Sequence, residues 1–276
     1  MPIDADLLDL LPKVAALLFT GALAGTLAGL LGVGGGIVIV PVLFYLFGVL
    51  ELAPDSAMHV AVGTSLATII PTSIASMRAH FKRGSIDTDL LKVWGIAAFL
   101  GAILGAVISG YVKGSVLTGV FAVVAAVVAV NMATPNGLRV ADTLPANRFA
   151  SGLIGYVIGT FSVMMGIGGG TLSVPVLSAF NFPIHRAVGT ASALGLAIGV
   201  PGAIGFVIAG WAVEDLPPLS VGYVNLVGFV LIFPMSVLMA PIGAKLAHSL
   251  SRIWLRRAFA LFLGITSLRM FYKLLS

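Results

Sequence analysis

Apolar residues fill long stretches of this chain, and polar residues are confined to short segments between them. Five stretches precede a polar segment at residues 134–148, and five follow it. Several approach the roughly 20 residues that a helix needs to cross the ~30 Å hydrocarbon core of a bilayer. The pattern therefore predicts an all-α polytopic membrane protein with about 8–10 membrane segments. The predicted segments are residues 12–31, 37–50, 60–77, 93–112 and 115–133, then 149–165, 171–180, 187–211, 222–247 and 258–275.

A glycine cluster separates the first segment from the second, and a matching cluster separates the sixth from the seventh. The sequence from Gly25 to Leu43 is GTLAGLLGVGGGIVIVPVL, and that from Gly159 to Leu177 is GTFSVMMGIGGGTLSVPVL. The two align without a gap, and each cluster is followed by a segment too short to cross a bilayer. This duplication predicts two homologous halves, each with a broken or re-entrant helix. The predicted organisation is half one at 1–133, a polar linker at 134–148 and half two at 149–276.

Loop charges predict how the two halves are oriented. Five segments in half one bring the chain to the opposite side of the membrane, so half two enters from there. The loop after segment three is basic, whereas its counterpart after segment eight holds Glu214 and Asp215 and lacks lysine and arginine. Because cytoplasmic loops are enriched in basic residues, the first loop is predicted inside and the second outside. The prediction is an inverted repeat with both termini outside. The basic residues of the first loop are Arg78, Lys82, Arg83 and Lys92.

The composition agrees with a membrane protein and narrows its chemistry. Of the 276 residues, 59% are hydrophobic and 9% are charged, against about a quarter charged in soluble domains. The mean hydropathy is +1.13. The absence of cysteine excludes disulfides and thiolate chemistry. The formal net charge of +5 lies mostly in loops, so it indicates membrane topology rather than nucleic-acid binding.

The predicted membrane segments contain no aspartate or glutamate. A dehydrated cation would find little compensating charge there, whereas amides, helix N-termini and hydroxyls suit an anion. A hydroxyl-containing motif follows each short segment, AVGTS at residues 61–65 and AVGTAS at 187–192. The pattern predicts a substrate site formed by both glycine clusters and both motifs. Its candidate residues are Gly34, Gly35, Gly36, Thr64, Ser65, Gly168, Gly169, Gly170, Thr190 and Ser192.

Each candidate also has a purely structural interpretation. Glycines in membrane helices commonly allow close helix packing, although duplication of the cluster beside a proline favours a functional role. Membrane serines and threonines commonly bond carbonyls of their own helix, so Thr64 and Thr190 are balanced between the two interpretations. His59 and His185 stand at segment starts, where interfacial capping is favoured over ligand binding.

Three features of the chain together resemble the TauE/SafE family of sulfite-exporter-like permeases. They are the duplicated glycine clusters, the AVGT motifs and the loop AHFKRGSID at residues 79–87. The resemblance covers nearly the whole chain. It implies a multi-pass inner-membrane protein that moves sulfite, organosulfonates or related sulfur oxyanions and organic acids. It maps the family's glycine breaks onto residues 34–36 and 168–170, and its hydroxyl motifs onto residues 64–65 and 190–192. One departure is Ala191, where the family more often has serine after the threonine.

The leading hypothesis is a secondary transporter of a small anion, working by alternating access around the two glycine clusters. A passive anion channel, or a permease for another small substrate, is the alternative. A membrane enzyme is disfavoured because the four histidines all lie near segment ends, and an ATP-driven pump because no phosphate-binding loop occurs. We predict no cofactor, no metal and no nucleic-acid partner. The exact substrate, the direction of transport, a coupling ion (H⁺ or Na⁺) and homodimerisation are left open.

Overall fold

The chain is a bundle of apolar helices. A computed structural model describes residues 3–32, 34–134, 140–246 and 252–275. The helices of half one are α1 (Ile3–Leu31), α2 (Gly36–Val49), α3 (Ala57–Phe81), α4 (Thr88–Tyr111) and α5 (Gly114–Ala133). Those of half two are α6 (Arg148–Met164), α7 (Gly170–Ala179), α8 (Ile184–Ala209), α9 (Leu226–Leu246) and α10 (Arg252–Leu275). A short antiparallel hairpin, β1 (Ser220–Val221) and β2 (Val224–Asn225), precedes α9.

The described residues contain six helices that are long and apolar enough to cross a membrane. They are α3, α4, α5, α8, α9 and the part of α1 from Leu11 to Leu31. Shorter apolar helices are α2, α6 and α7. The prediction of an all-α polytopic membrane protein is therefore confirmed. Each of the ten predicted apolar segments coincides with one helix.

The helices extend beyond the apolar stretches at several ends. Helix α3 ends at Phe81 and α4 begins at Thr88, so Arg78 and Lys92, which the sequence assigns to a basic loop, lie within helices. The acidic residues near the N-terminus likewise fall within α1. The reason is physical: hydropathy marks the part of a helix in hydrocarbon, whereas backbone hydrogen bonding continues into the interfacial layer. Pro71 and Pro201 lie inside α3 and α8 without ending them.

Each half packs its outer helices against the other half. Helix α1 runs parallel to α9, with Gly21, Gly25 and Gly29 facing Ile232, Ser236 and Ala240 in that order. Helix α4 runs parallel to α6 in the same way, with Gly101 and Gly105 facing Tyr156 and Thr160. The first helix of one half thus pairs with the fourth helix of the other, twice over.

Equivalent helices pack antiparallel. On α3 and α8, Leu66 lies beside Gly202 while Ser73 lies beside Gly195, so the two chains run in opposite directions. On α5 and α10, Ser267 Oγ donates to the carbonyl oxygen of Ala122 at 2.8 Å. Gly119 lies beside Leu274, which gives the same antiparallel order. An inverted repeat requires this arrangement; superposition of the halves about an axis in the membrane plane stays a prediction.

Candidate functional site

The two glycine clusters are breaks between helices, and they meet. The first break, which contains Gly32, Gly34 and Gly35, lies between α1 and α2; the second, residues 165–169, lies between α6 and α7. Positive φ angles of 66°, 72° and 80° at Gly32, Gly34 and Gly35 turn the chain in a way that glycine tolerates. A Cβ placed on Gly34 would lie 3.2 Å from the Cα of Gly168. The breaks therefore touch backbone to backbone at this point.

Each break also rests on the third helix of the opposite half. Gly32 packs against Val188 at the start of α8, and Gly166 packs against Val62 near the start of α3. Val62 and Val188 are equivalent residues of the two AVGT motifs. The motifs thus support the opposite breaks.

Ser65 is the motif hydroxyl that reaches a break. Its Oγ donates a hydrogen bond of 2.7 Å to the carbonyl oxygen of Gly166 in the second break. The equivalent residue in half two is Ala191, which has no hydroxyl to donate. Ser192 instead donates to Gly189 O, 2.6 Å away within α8. The alanine noted as a departure from the family pattern therefore removes the equivalent hydrogen bond in half two.

Thr64 and Thr190 hold the starts of two helices in the opposite half. Thr64 Oγ1 accepts from the backbone N–H of Asn225 at 2.9 Å, and Thr190 Oγ1 accepts from that of Asp87 at 2.9 Å. Asp87 and Asn225 in turn cap their helices, since Asp87 Oδ1 accepts from Leu90 N and Asn225 Oδ1 from Gly228 N. Both threonine hydroxyls serve architecture in this conformation.

The structure does not bring Thr64 and Thr190 together. Thr64 lies in the first half of α3, whereas Thr190 accepts from Asp87 N, beyond the end of α3. From Thr64 to the end of α3 is about seventeen residues, or ~25 Å along the axis at 1.5 Å per residue. One small anion cannot contact both threonines across that distance. Of the ten candidate residues, the glycines and Ser65 lie at the breaks, and the backbone N of Ser192 lies 3.3 Å from where a Cβ of Gly32 would stand.

Four buried hydroxyls beside the breaks were not among the predicted site residues. Ser73, Ser162, Thr171 and Ser173 are each at most 1% exposed, and their hydroxyls have no hydrogen-bond partner. A signal for three of them was present in the sequence. In the aligned repeat, Ser162, Thr171 and Ser173 replace apolar residues of the first copy, namely Ala28, Ile37 and Ile39.

Carboxylates lie away from this centre in the part of the chain that the structure describes. Asp87, whose side chain is mostly buried, stands at the start of α4 and pairs with Arg186 Nη2 at 2.7 Å. The described residues contain no group of three or more histidine, cysteine or acidic side chains that could hold a metal ion. The centre can therefore offer amide and hydroxyl donors, but no fixed negative charge from these side chains.

Comparisons with known proteins agree on a membrane transporter. The family model described as "Sulfite exporter TauE/SafE" matches residues 17–270. A probable membrane transporter protein of Haemophilus influenzae is 33% identical over 93% of this chain and 97% of its own length. One of Methanocaldococcus jannaschii is 28% identical over 97% of this chain and 98% of its own. A probable membrane transporter protein of Bacillus subtilis is 31% identical over 70% of this chain and 78% of its own length. No solved structure matches the chain.

Proposed function

Because the chain belongs to the sulfite exporter TauE/SafE family, we propose that it carries small anions across the inner membrane by alternating access. The proposed substrates are sulfite, organosulfonates, or related sulfur oxyanions and organic acids. The name of the family supports a sulfur oxyanion, and the names of the relatives support transport. The transporter acts on its substrate without changing it chemically.

Contact between the two glycine breaks is the observation that carries this proposal. Helices α2 and α7 both begin at the breaks, at Gly36 and Gly170. The first amides of a helix have no partner within the helix, and its N-terminus carries partial positive charge. Two such N-termini beside each other favour an anion. The absence of carboxylates from the predicted membrane segments leaves this preference unopposed.

Packing across the centre suggests what moves. Glycines at the contact between α3 and α8, such as Gly195 and Gly199, bring the helices close together. Small residues at such a contact let the two backbones approach closely, with no large side chain held between them. In the proposed cycle, the two halves rock on the contact between α3 and α8, and the breaks face each side in turn.

Counterflow in proteoliposomes tests the proposal. Vesicles containing purified protein are loaded with unlabelled sulfite or methanesulfonate, and uptake of the labelled anion is followed. A carrier gives saturable uptake that internal substrate stimulates, whereas a channel gives uptake that depends only on the gradients. Replacing sodium with choline, and then collapsing the pH gradient, reveals a coupling ion. The proposal is wrong if sulfur oxyanions and carboxylates all fail to enter.

A further inference from the structure

The second break differs chemically from the first. Thr171 of α7 and Ser162 of α6 flank the second break, where the aligned residues of half one are Ile37 and Ala28. Ser73 of α3 lies beside Gly195 at the same centre, and its counterpart in α8 is Gly199. The second break is thus surrounded by hydroxyls at positions that are apolar or lack a side chain around the first. These residues therefore do not form two symmetric sites.

The hydroxyls at this break also differ from buried hydroxyls elsewhere in the helices that bond to their own helix. Four other buried hydroxyls of the bundle donate a hydrogen bond of 2.7–2.9 Å to the carbonyl oxygen four residues earlier in their own helix. They belong to Thr68, Thr72, Ser109 and Thr118. That bond is the usual way for a membrane helix to satisfy a serine or threonine. Ser73, Ser162 and Thr171 do not make it. A buried hydroxyl without a partner is costly, so a ligand that accepts hydrogen bonds is favoured where such hydroxyls gather.

Thr171 and Ser73 both face one side of α8. Val174, three residues after Thr171 and hence on a neighbouring part of the same face of α7, packs against Val188 and Ala191. Ser73 lies against Gly195, one turn of α8 after Ala191. The backbone N of Gly195 in turn lies 3.3 Å from where a Cβ of Gly169, the N-cap of α7, would stand. Both hydroxyls and the N-terminus of α7 therefore meet at the same stretch of α8.

We infer that each chain binds one oxyanion at the N-terminus of α7, in the second break, with Thr171 and Ser73 as hydroxyl donors. The first break supports the site and does not form a second one. An oxyanion suits it because such a ligand carries only acceptors, while the amides of Gly170 and Thr171 and the two hydroxyls supply donors. This inference rests on the proposed function, and it makes the two halves unequal in binding.

Isothermal titration of purified protein with sulfite and with methanesulfonate, in choline buffer, tests the site. Thr171→Val and Ser73→Ala should each weaken binding about tenfold or more, which corresponds to ~1.4 kcal/mol. Thr171→Ser keeps the hydroxyl and should bind within about threefold of the wild type, a difference well below that tenfold step. The wild type should bind one anion per chain.

Ser173→Ala is the matched control. Ser173 is as buried as Thr171 and its hydroxyl is also unpaired, but two residues of separation place it on a different side of α7. Its loss should leave affinity unchanged. The melting temperature without ligand should not fall in Thr171→Val or Ser73→Ala, since neither hydroxyl has a bond to lose; a structural role would lower it.

The outcomes separate this inference from the proposed function. If the wild type binds an oxyanion and Thr171→Val and Ser73→Ala bind it equally well, the site is wrong and the transport proposal stands. Equal weakening in Ser173→Ala, or two anions bound per chain, would also overturn the site. If the wild type binds no oxyanion, the proposed function fails, and the site fails with it.

Discussion

Single hydroxyls do different work in this protein although they look alike in the sequence. Thr64 and Ser65 are neighbours in one motif, yet Thr64 accepts from Asn225 and Ser65 donates to Gly166. Asn225 lies 161 residues along the chain from Thr64. Which partner a hydroxyl finds depends on helix rotation and on distant loops, and neither can be read from a motif.

Thr64→Val should destabilise the protein more than it weakens anion binding. The substitution keeps the volume of the side chain but leaves the buried amide of Asn225 without an acceptor, at a cost of ~1–3 kcal/mol. Thermal unfolding in detergent should show a lower melting temperature. Thr64→Ser, which retains the oxygen, is the control.

The interpretation taken from sequence predicts the opposite pattern for the same variant. A direct role in binding would weaken affinity about tenfold at an unchanged melting temperature. Titration of Thr64→Val with sulfite therefore decides between the two roles. Thr190→Val, which removes the acceptor of Asp87 N, should repeat the result in half two.

At the scale of elements, sequence reasoning locates the breaks well and the helix ends less well. Gly34–Gly36 and Gly168–Gly170 stand out because repeated glycines interrupt apolar stretches, and α2 and α7 begin where those runs end. The start of α4 was harder, because Asp87 serves three purposes at once. It caps α4, donates its amide to Thr190, and pairs with Arg186.

Asp87→Asn and Asp87→Ala separate two of these purposes. Asparagine retains a capping oxygen and loses the charge, and Arg186 is half exposed, with 53% of its side chain accessible. The Asp87 side chain is 13% accessible, but the half-exposed arginine keeps the pair in contact with water, so the ion pair is worth about 1 kcal/mol and Asp87→Asn should be mild. Alanine also loses the cap, which costs roughly 0.5–2 kcal/mol more.

Thermal unfolding at low and high salt measures both effects. The difference between wild type and Asp87→Asn should shrink in high salt, because salt screens the ion pair. The additional loss in Asp87→Ala should persist, because capping is a hydrogen bond. Equal melting temperatures for the asparagine and alanine variants would mean that the cap contributes nothing.

The whole molecule is defined by pairing across the halves. Hydropathy and the aligned repeat predict ten segments in two halves, because both are local properties of the sequence. They do not predict that α1 packs along α9 and α4 along α6, because helix partners depend on surfaces that meet only in the folded protein. Because α3 and α8 pack antiparallel, the loops that follow them lie at opposite ends of the bundle, and hence on opposite sides of the membrane.

Cysteine labelling tests this topology on a clean background, because the chain has no cysteine. Thr88, the first residue of α4, and Ala212, in the loop after α8, are exposed positions that follow α3 and α8 along the chain. A membrane-impermeant maleimide should label Ala212→Cys in intact cells and Thr88→Cys only after permeabilisation, in keeping with the positive-inside rule. Reversed labelling would invert the orientation alone. Labelling of both from one side would contradict the inverted repeat.

The packing of α1 on α9 and of α4 on α6 also affects how the protein is inserted into the membrane during synthesis. While it is being synthesised, half one is in the bilayer before α6 and α9 exist, so α1 and α4 lack the surfaces that will cover their glycine faces. The ribosome must add residues 134–246 first, which takes on the order of ten seconds at 5–20 residues per second. During that interval lipid, or an insertion chaperone, has to cover those faces. Insertion of half two then replaces that temporary cover with α9 and α6.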